Sequence, residues 1–127
     1  MPRSVPDAQI DALFLNGHVA RYRCEFDMDW TGEFAGEALA GITGHAPSEF
    51  GAGGSRTWSS IVYPEDRAFL LSVAREAVAS REPFTIRYRV IHASGEVREV
   101  AERGTAVFGE DGQFSHFEGE IVALEPH

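Results

Sequence analysis

Four features of the sequence bring chemically capable side chains within reach of one another. Asp27 and Asp29 flank Met28, a spacing at which two carboxylates can share a hard divalent cation. Residues 51 to 55 read GAGGS, the kind of glycine run whose amides can cradle a phosphate. Histidines at 18, 45, 92, 116 and 127 raise metal or haem chemistry, and Cys24 raises thiol chemistry. Each has a simpler reading. Asp favours tight turns, so Asp27-Met28-Asp29 is expected as a solvated turn. The glycine run lacks the Lys and following Ser or Thr of a phosphate loop. The histidines show no ligand spacing, and three meandering strands would put His92 and His116 at opposite ends of a sheet. Cys24 alternates with Tyr22 and Phe26 and reads as a small buried hydrophobe. Asp66 reads as a helix-start stabiliser, and Glu102 and Arg103 as candidates to pair with groups on adjacent strands, of little energetic weight where such a pair is exposed. No catalytic and no metal-ligating residue is assigned.

Composition narrows the chemistry further. All eleven basic residues are Arg, so Schiff-base and Lys-nucleophile mechanisms are excluded. The formal charge of -9 opposes binding to nucleic acid or to an anionic membrane surface. A single cysteine forms no internal disulfide, and no run of about eighteen apolar residues is present. A soluble, cytoplasmic protein is expected. Its 127 residues, 43% of them apolar, suit one folded unit with its own core.

The elements that must position any site follow from periodicity. Residues 1–18 read as a flexible lead and a short amphipathic helix carrying Ile10, Leu13 and Phe14, stopped at Asn16-Gly17. Residues 19–125 read as the folded domain. A strand from Val19 to Phe26 turns at Asp27 into a second strand from Trp30 to Gly36. Three short helical pieces follow, over Glu37–Thr43, Pro47–Phe50 and Thr57–Ile61, with Gly44 as a left-handed cap and Pro47 at a helix start. Pro64 opens the one long helix, whose apolar stripe is Leu70, Val73, Ala74, Ala77 and Val78 and which ends near Arg81. Period two then returns for three antiparallel strands, beginning at Phe84, Val97 and Phe114.

Three of these segments carry a family resemblance. Ile42 to Phe50, Trp58 to Arg67 (WSSIVYPEDR) and Phe84 to Val100, completed by Glu102-Arg103-Gly104, Asp111-Gly112 and Glu118-Gly119, resemble the ordered motifs of PAS domains over residues 20 to 124. Tyr63 stands where that family has His, and Val100 where it has Trp. Ala123-Leu124-Glu125 replaces its closing Asp-Ile-Thr. The resemblance implies an α+β fold, a five-stranded antiparallel sheet with short helices and one longer helix packed on one face. It also implies a dimeric sensory module in bacterial signal transduction, passing a signal to an effector domain of the same parent protein, a histidine kinase or diguanylate cyclase. Haem-binding relatives take their axial His from the long helix, which here contains none, leaving only an unusual ligand such as His45. Flavin photosensors carry their reactive Cys just after the short helices, whereas Cys24 lies in the first strand. No cofactor is therefore expected.

Two other functions compete. One adds an unidentified small-molecule ligand, held between the inner face of the sheet and the short helices by Tyr22, Phe34, Ile42, Trp58, Leu70, Tyr88 and Phe117. Tyr63 is a further aromatic candidate for that pocket. The other is a small cone-shaped isomerase or hydratase, which would require Asp27 or Asp66 buried beside a Tyr in a deep cavity.

Overall fold

Strands β1 (Val19–Cys24), β2 (Gly32–Ala35), β3 (Phe84–Ile91), β4 (Val97–Phe108) and β5 (Phe114–Ala123) form one antiparallel sheet in the order β2-β1-β5-β4-β3. The computed structural model describes residues 8–51 and 53–124. Residues 1–7 of the expected lead, Ala52 of the glycine run, and Glu125, Pro126 and His127 lie outside them. Around the sheet are helices α1 (Ala8–Asn16), α2 (Ala38–Thr43), α3 (Trp58–Ile61) and α4 (Arg67–Ser80), with tight 3₁₀ turns at Pro47–Glu49 and Pro64–Asp66.

Local chemistry explains most of these boundaries. Ala20, Tyr22 and Cys24 are buried while Arg21 and Arg23 are exposed, the alternation of a strand with one wet face. The ladder to β2 stops at Cys24 opposite Gly32, earlier than the expected Phe26 and Trp30. The reason is the turn: Asp27 Oδ1 accepts the backbone amides of Asp29 (3.1 Å) and Thr31 (2.9 Å), which withdraws this stretch from strand pairing. Gly44 ends α2 in the left-handed region at φ 77°, and an added Cβ there would lie 2.6 Å from the His92 ring. Pro47 and Pro64 both open their turns at positions where no amide is needed. Helix α4 buries Leu70, Val73, Ala74 and Ala77, half-buries Val78, and is capped by Arg81.

Asp66 does more than begin a helix. It makes no capping hydrogen bond. Instead its carboxylate accepts from the Arg89 backbone amide (2.9 Å), from Arg89 Nε (3.0 Å) and from Arg89 Nη2 (2.7 Å). The same guanidinium sits 4.2 Å from the centroid of the Tyr63 ring. The α4 entrance is thereby tied to β3, joining two segments that are far apart in sequence. The Arg89 hydrogen bonds hold the Asp66 carboxyl below its ordinary value. A carboxylate with a lowered folded pKa contributes stability that is present above its unfolded value of about 3.9 and lost as pH falls through the folded value. Asp66→Asn is therefore expected to lower the melting temperature at neutral pH. The gap to wild type should close as the solution is acidified below about pH 3.9. A gap that persists in acid would mean that the carboxylate charge is not what matters.

The two sheet faces are covered differently. α2, α3 and α4, with Phe50 after the first 3₁₀ turn, pack on the inner face over Tyr22, Cys24, Tyr88, Val100, Phe117 and Ile121. α1 packs on the outer face, where Ile10 and Phe14 meet Ala101, Val122 and Leu124. There Arg103 of β4 pairs with Asp11 and lies over the Phe14 ring. No helix among the described residues is long and apolar enough to cross a membrane.

Candidate functional site

One row of residues across the inner face creates a hollow. Pairing registers place Phe34, Tyr22, Gly119, Gly104 and Phe84 side by side from β2 to β3. The flanks of the row are aromatic and its centre has no side chains. An added Cβ on Gly104 would lie 2.3 Å from the Tyr22 hydroxyl oxygen and 2.7 Å from the Phe84 ring. One on Gly119 would lie 2.7 Å from the same hydroxyl. The paired glycines thus leave the channel through which the Tyr22 phenol crosses β5 to reach β4.

What it reaches is Glu102. Tyr22 donates its hydroxyl to Glu102 Oε2, and Tyr88 donates to Oε1 at 2.6 Å. Trp58 Nε1 donates in turn to the Tyr88 oxygen at 3.1 Å. The chain runs from α3 through β3 to β4 and back to β1, so four elements converge on one carboxyl group. The expectation of partners on adjacent strands holds for Glu102, which takes Tyr88 of the neighbouring β3, whereas Arg103 pairs with Asp11 of α1. Alternation along β4 sends the two side chains to opposite faces, Glu102 inward and Arg103 to Asp11 outside.

Burial raises the Glu102 carboxyl above its ordinary value, although both tyrosine bonds favour the charged form. Burial and the neighbouring carboxylate raise both Tyr22 and Tyr88. An acid whose folded pKa is raised binds more protons folded than unfolded over the interval between the two values. Its contribution is then complete below the unfolded value of about 4.3 and diminishes as pH rises through the folded value. Glu102→Gln is expected to remove this loss, giving a flatter profile of stability against pH over that window, read by urea denaturation at a series of pH values. A profile parallel to wild type would show that Glu102 does not titrate there.

Beside Glu102 lies a cavity of about 30 Å³, room for two or three waters at about 10–15 Å³ each. Of the residues expected at a pocket, Tyr22, Phe34, Trp58, Leu70 and Phe117 line it. Ile42 is buried without reaching its wall, and Tyr88 stands behind it as the second donor to Glu102. Trp30, Phe84 and Glu102 line it and were missed by sequence reasoning. Tyr63 does not line it, being held beneath Arg89 outside. The wall is rigid on one side, where Phe34 and Trp58 stack with centroids 4.7 Å apart and Phe50 meets Trp58 at 5.5 Å.

The other candidates fall elsewhere. Asp27 is spent on its turn and Asp66 on Arg89, so neither enters the cavity. Burial raises the Cys24 thiol well above its ordinary value, which disfavours the reactive thiolate. His92 bonds Ser94, while His116 bonds Ser115 and Glu118, and the two do not meet. His45 is buried against Phe50, with Nδ1 3.5 Å from Glu49 Oε1, and is not on the cavity wall. Among the described residues no three His, Cys, Asp or Glu side chains converge as a metal site.

Comparison with known proteins follows the same outline. The sequence pattern of the PAS fold matches residues 33–121. The methyl sulfide methyltransferase-associated sensor of Methanosarcina acetivorans is 27% identical over 117 residues, 91% of this chain. The chain spans only 12% of that sensor's length. A sensory box histidine kinase/response regulator from Burkholderia thailandensis E264 superposes with a TM-score of 0.67 at 18% identity, covering 91% of this chain and 84% of that one. The N-terminal domain of a diguanylate cyclase with a PAS/PAC sensor from Marinobacter aquaeolei gives 0.63 at 14% identity, covering 83% and 94%.

Proposed function

This chain belongs to the PAS fold family, and from that premise we propose that it is a signal-input module that regulates an effector domain of its parent protein, a histidine kinase or a diguanylate cyclase. Domains of this family are in general sensory modules rather than enzymes. The observation that carries the reading is the inner-face cavity, lined by α3, α4 and the sheet, with a carboxyl group at its edge that tyrosines of β1 and β3 both hold. Occupancy or protonation there has a direct mechanical route to β4 and β5, which form the centre of the sheet with β1. The same reading has the module in the cytoplasm, working as a homodimer and without resident haem or flavin.

The test is made in the parent protein, by measuring phosphoryl transfer or cyclic dinucleotide synthesis. Glu102→Gln is expected to change the basal output while leaving the assembled protein folded and of unchanged size. An output identical to wild type, with the fold intact, would remove the cavity from the signalling route.

The small-molecule reading has its own support, because the cavity lies between the inner sheet face and the helices and its walls are predominantly apolar with one polar end.

A further inference from the structure

Glu102 is a half-buried acid that no cation pairs with among the described residues. Its two oxygens each accept one tyrosine hydroxyl, and a carboxylate offers about four acceptor positions, so the tyrosines leave about half of its capacity unused at the edge of the cavity it lines. Burial and those two hydrogen bonds account for its electrostatic setting, and no basic side chain among the described residues contributes to it. The arginines of the sheet point elsewhere. Arg21, Arg23 and Arg87 are exposed, while Arg89, Arg98 and Arg103 pair with Asp66, Glu96 and Asp11. An ionised carboxylate in such surroundings carries a large desolvation cost unless a partner enters.

The walls specify that partner. Trp30, Phe34, Trp58, Phe84 and Phe117 present ring systems to the same space, and aromatic faces attract cations as a carboxylate does. An anionic ligand would face repulsion from Glu102. A neutral one would gain nothing from its charge.

We propose that the cavity is a receptor site for a small organic cation of a few heavy atoms, a methylated ammonium in chemical class, with Glu102 as its counter-ion and Trp30 and Trp58 among its aromatic walls. The inference rests on reading the cavity as a ligand site and adds the charge of the ligand. Tyr22 and Tyr88 hold the carboxylate in place from opposite sides of β4. Binding requires Glu102 ionised, so the cation displaces the proton that burial favours.

The test titrates the folded chain at constant ionic strength with methylammonium and dimethylammonium chloride, and with their near-isosteric neutral counterparts methanol and ethanol. Fluorescence of Trp30 and Trp58 and calorimetry report binding. The cations are expected to saturate at millimolar concentrations, the range open to so few heavy atoms. The alcohols should bind at least about tenfold more weakly, a ratio worth about 1.4 kcal/mol. Glu102→Gln should lose the cation preference and keep the alcohol affinities. In wild type the cation affinity should rise with pH as Glu102 ionises, with proton release, while the alcohol affinities stay flat. The other titratable groups facing Glu102 are Tyr22 and Cys24 from β1 and Tyr88 from β3, all shifted upward; α4 presents Leu70, Val73 and Ala74, and β5 presents Phe117 and Ile121. Equal affinity for cations and alcohols, unaffected by Glu102→Gln, would overturn the cation assignment and leave the ligand site standing. Binding of neither would overturn the ligand site itself. If Glu102→Gln fails to fold, the wild-type pH series decides, and a flat cation affinity counts against the proposal.

Discussion

Trp58→Ala is expected to lower folding stability by about 3–5 kcal/mol, the cost of deleting a large buried aromatic side chain. Trp58 is 3% exposed, stacks on Phe34, meets Phe50 edge-on and anchors Tyr88 through its indole nitrogen. Alanine leaves a void contiguous with the existing cavity and releases Tyr88 to bond Glu102 alone. The loss should appear as a lower urea midpoint with little change in slope, since the unfolded chain is the same. Dye binding that reports exposed apolar surface should stay low, because the sheet and α4 remain paired. A midpoint within about 1 kcal/mol of wild type would mean that the ring cluster is not a stability centre.

Gly104→Ala is expected to have a comparable effect, about 3–5 kcal/mol, although it adds one methyl group instead of removing a ring. Two costs combine. Overpacking a tight interior site costs about 1–3 kcal/mol. The new Cβ would also lie 2.3 Å from the Tyr22 hydroxyl and 2.7 Å from Phe84, and the phenol cannot yield without leaving Glu102. Leaving the Tyr22–Glu102 hydrogen bond unmade in the interior costs about 1–3 kcal/mol more. The double variant Tyr22→Phe with Gly104→Ala isolates the second cost, because no hydroxyl then remains to displace. The two substitutions together should destabilise by less than the sum of each alone, which a double-mutant cycle measures. Strict additivity would show that Gly104 matters for its backbone and not for the passage of Tyr22.

The helical pieces of the middle region were legible almost to the residue. Ala38–Thr43, Pro47–Glu49 and Trp58–Ile61 fall inside the spans read from Gly44, Pro47 and Thr57, because caps and prolines act on their immediate neighbours. Thr57 accepts the Ser60 amide at 3.1 Å, an ordinary helix-start contact. Part of the aromatic wall was also readable: β1 alternates cleanly and names Tyr22 on its inner face, whereas Trp30 and Phe84 were not picked out.

Glu102 was not readable, and the reason lies in β4. Val100 and Ala101 are adjacent and both fully buried, because helices α2 to α4 cover one face of the strand and α1 covers the other. With both faces dry, alternation no longer says which side is the core, and a Glu two residues from Val100 looks as exposed as an Arg two residues from Ala101. The signal that could have found it was the glycine pair. Gly104 and Gly119 interrupt two strands otherwise rich in side chains, and such glycines mark a close approach by another group.

Periodicity, caps and turn residues are local properties, and the sequence by itself determined the strands, the helices and the core-facing stripes of all but β4, with the 3₁₀ turn at Pro64–Asp66 read as the first turn of α4. Neighbour relations are not local. Only the tertiary structure placed β1 beside β5, which set Gly119 between Tyr22 and Gly104 and let a phenol from the first strand meet a carboxyl from the fourth. The half-buried acid, its tyrosine partners and the cavity beside them exist because chain segments up to 80 residues apart are packed against one another. No short-range pattern encodes that meeting.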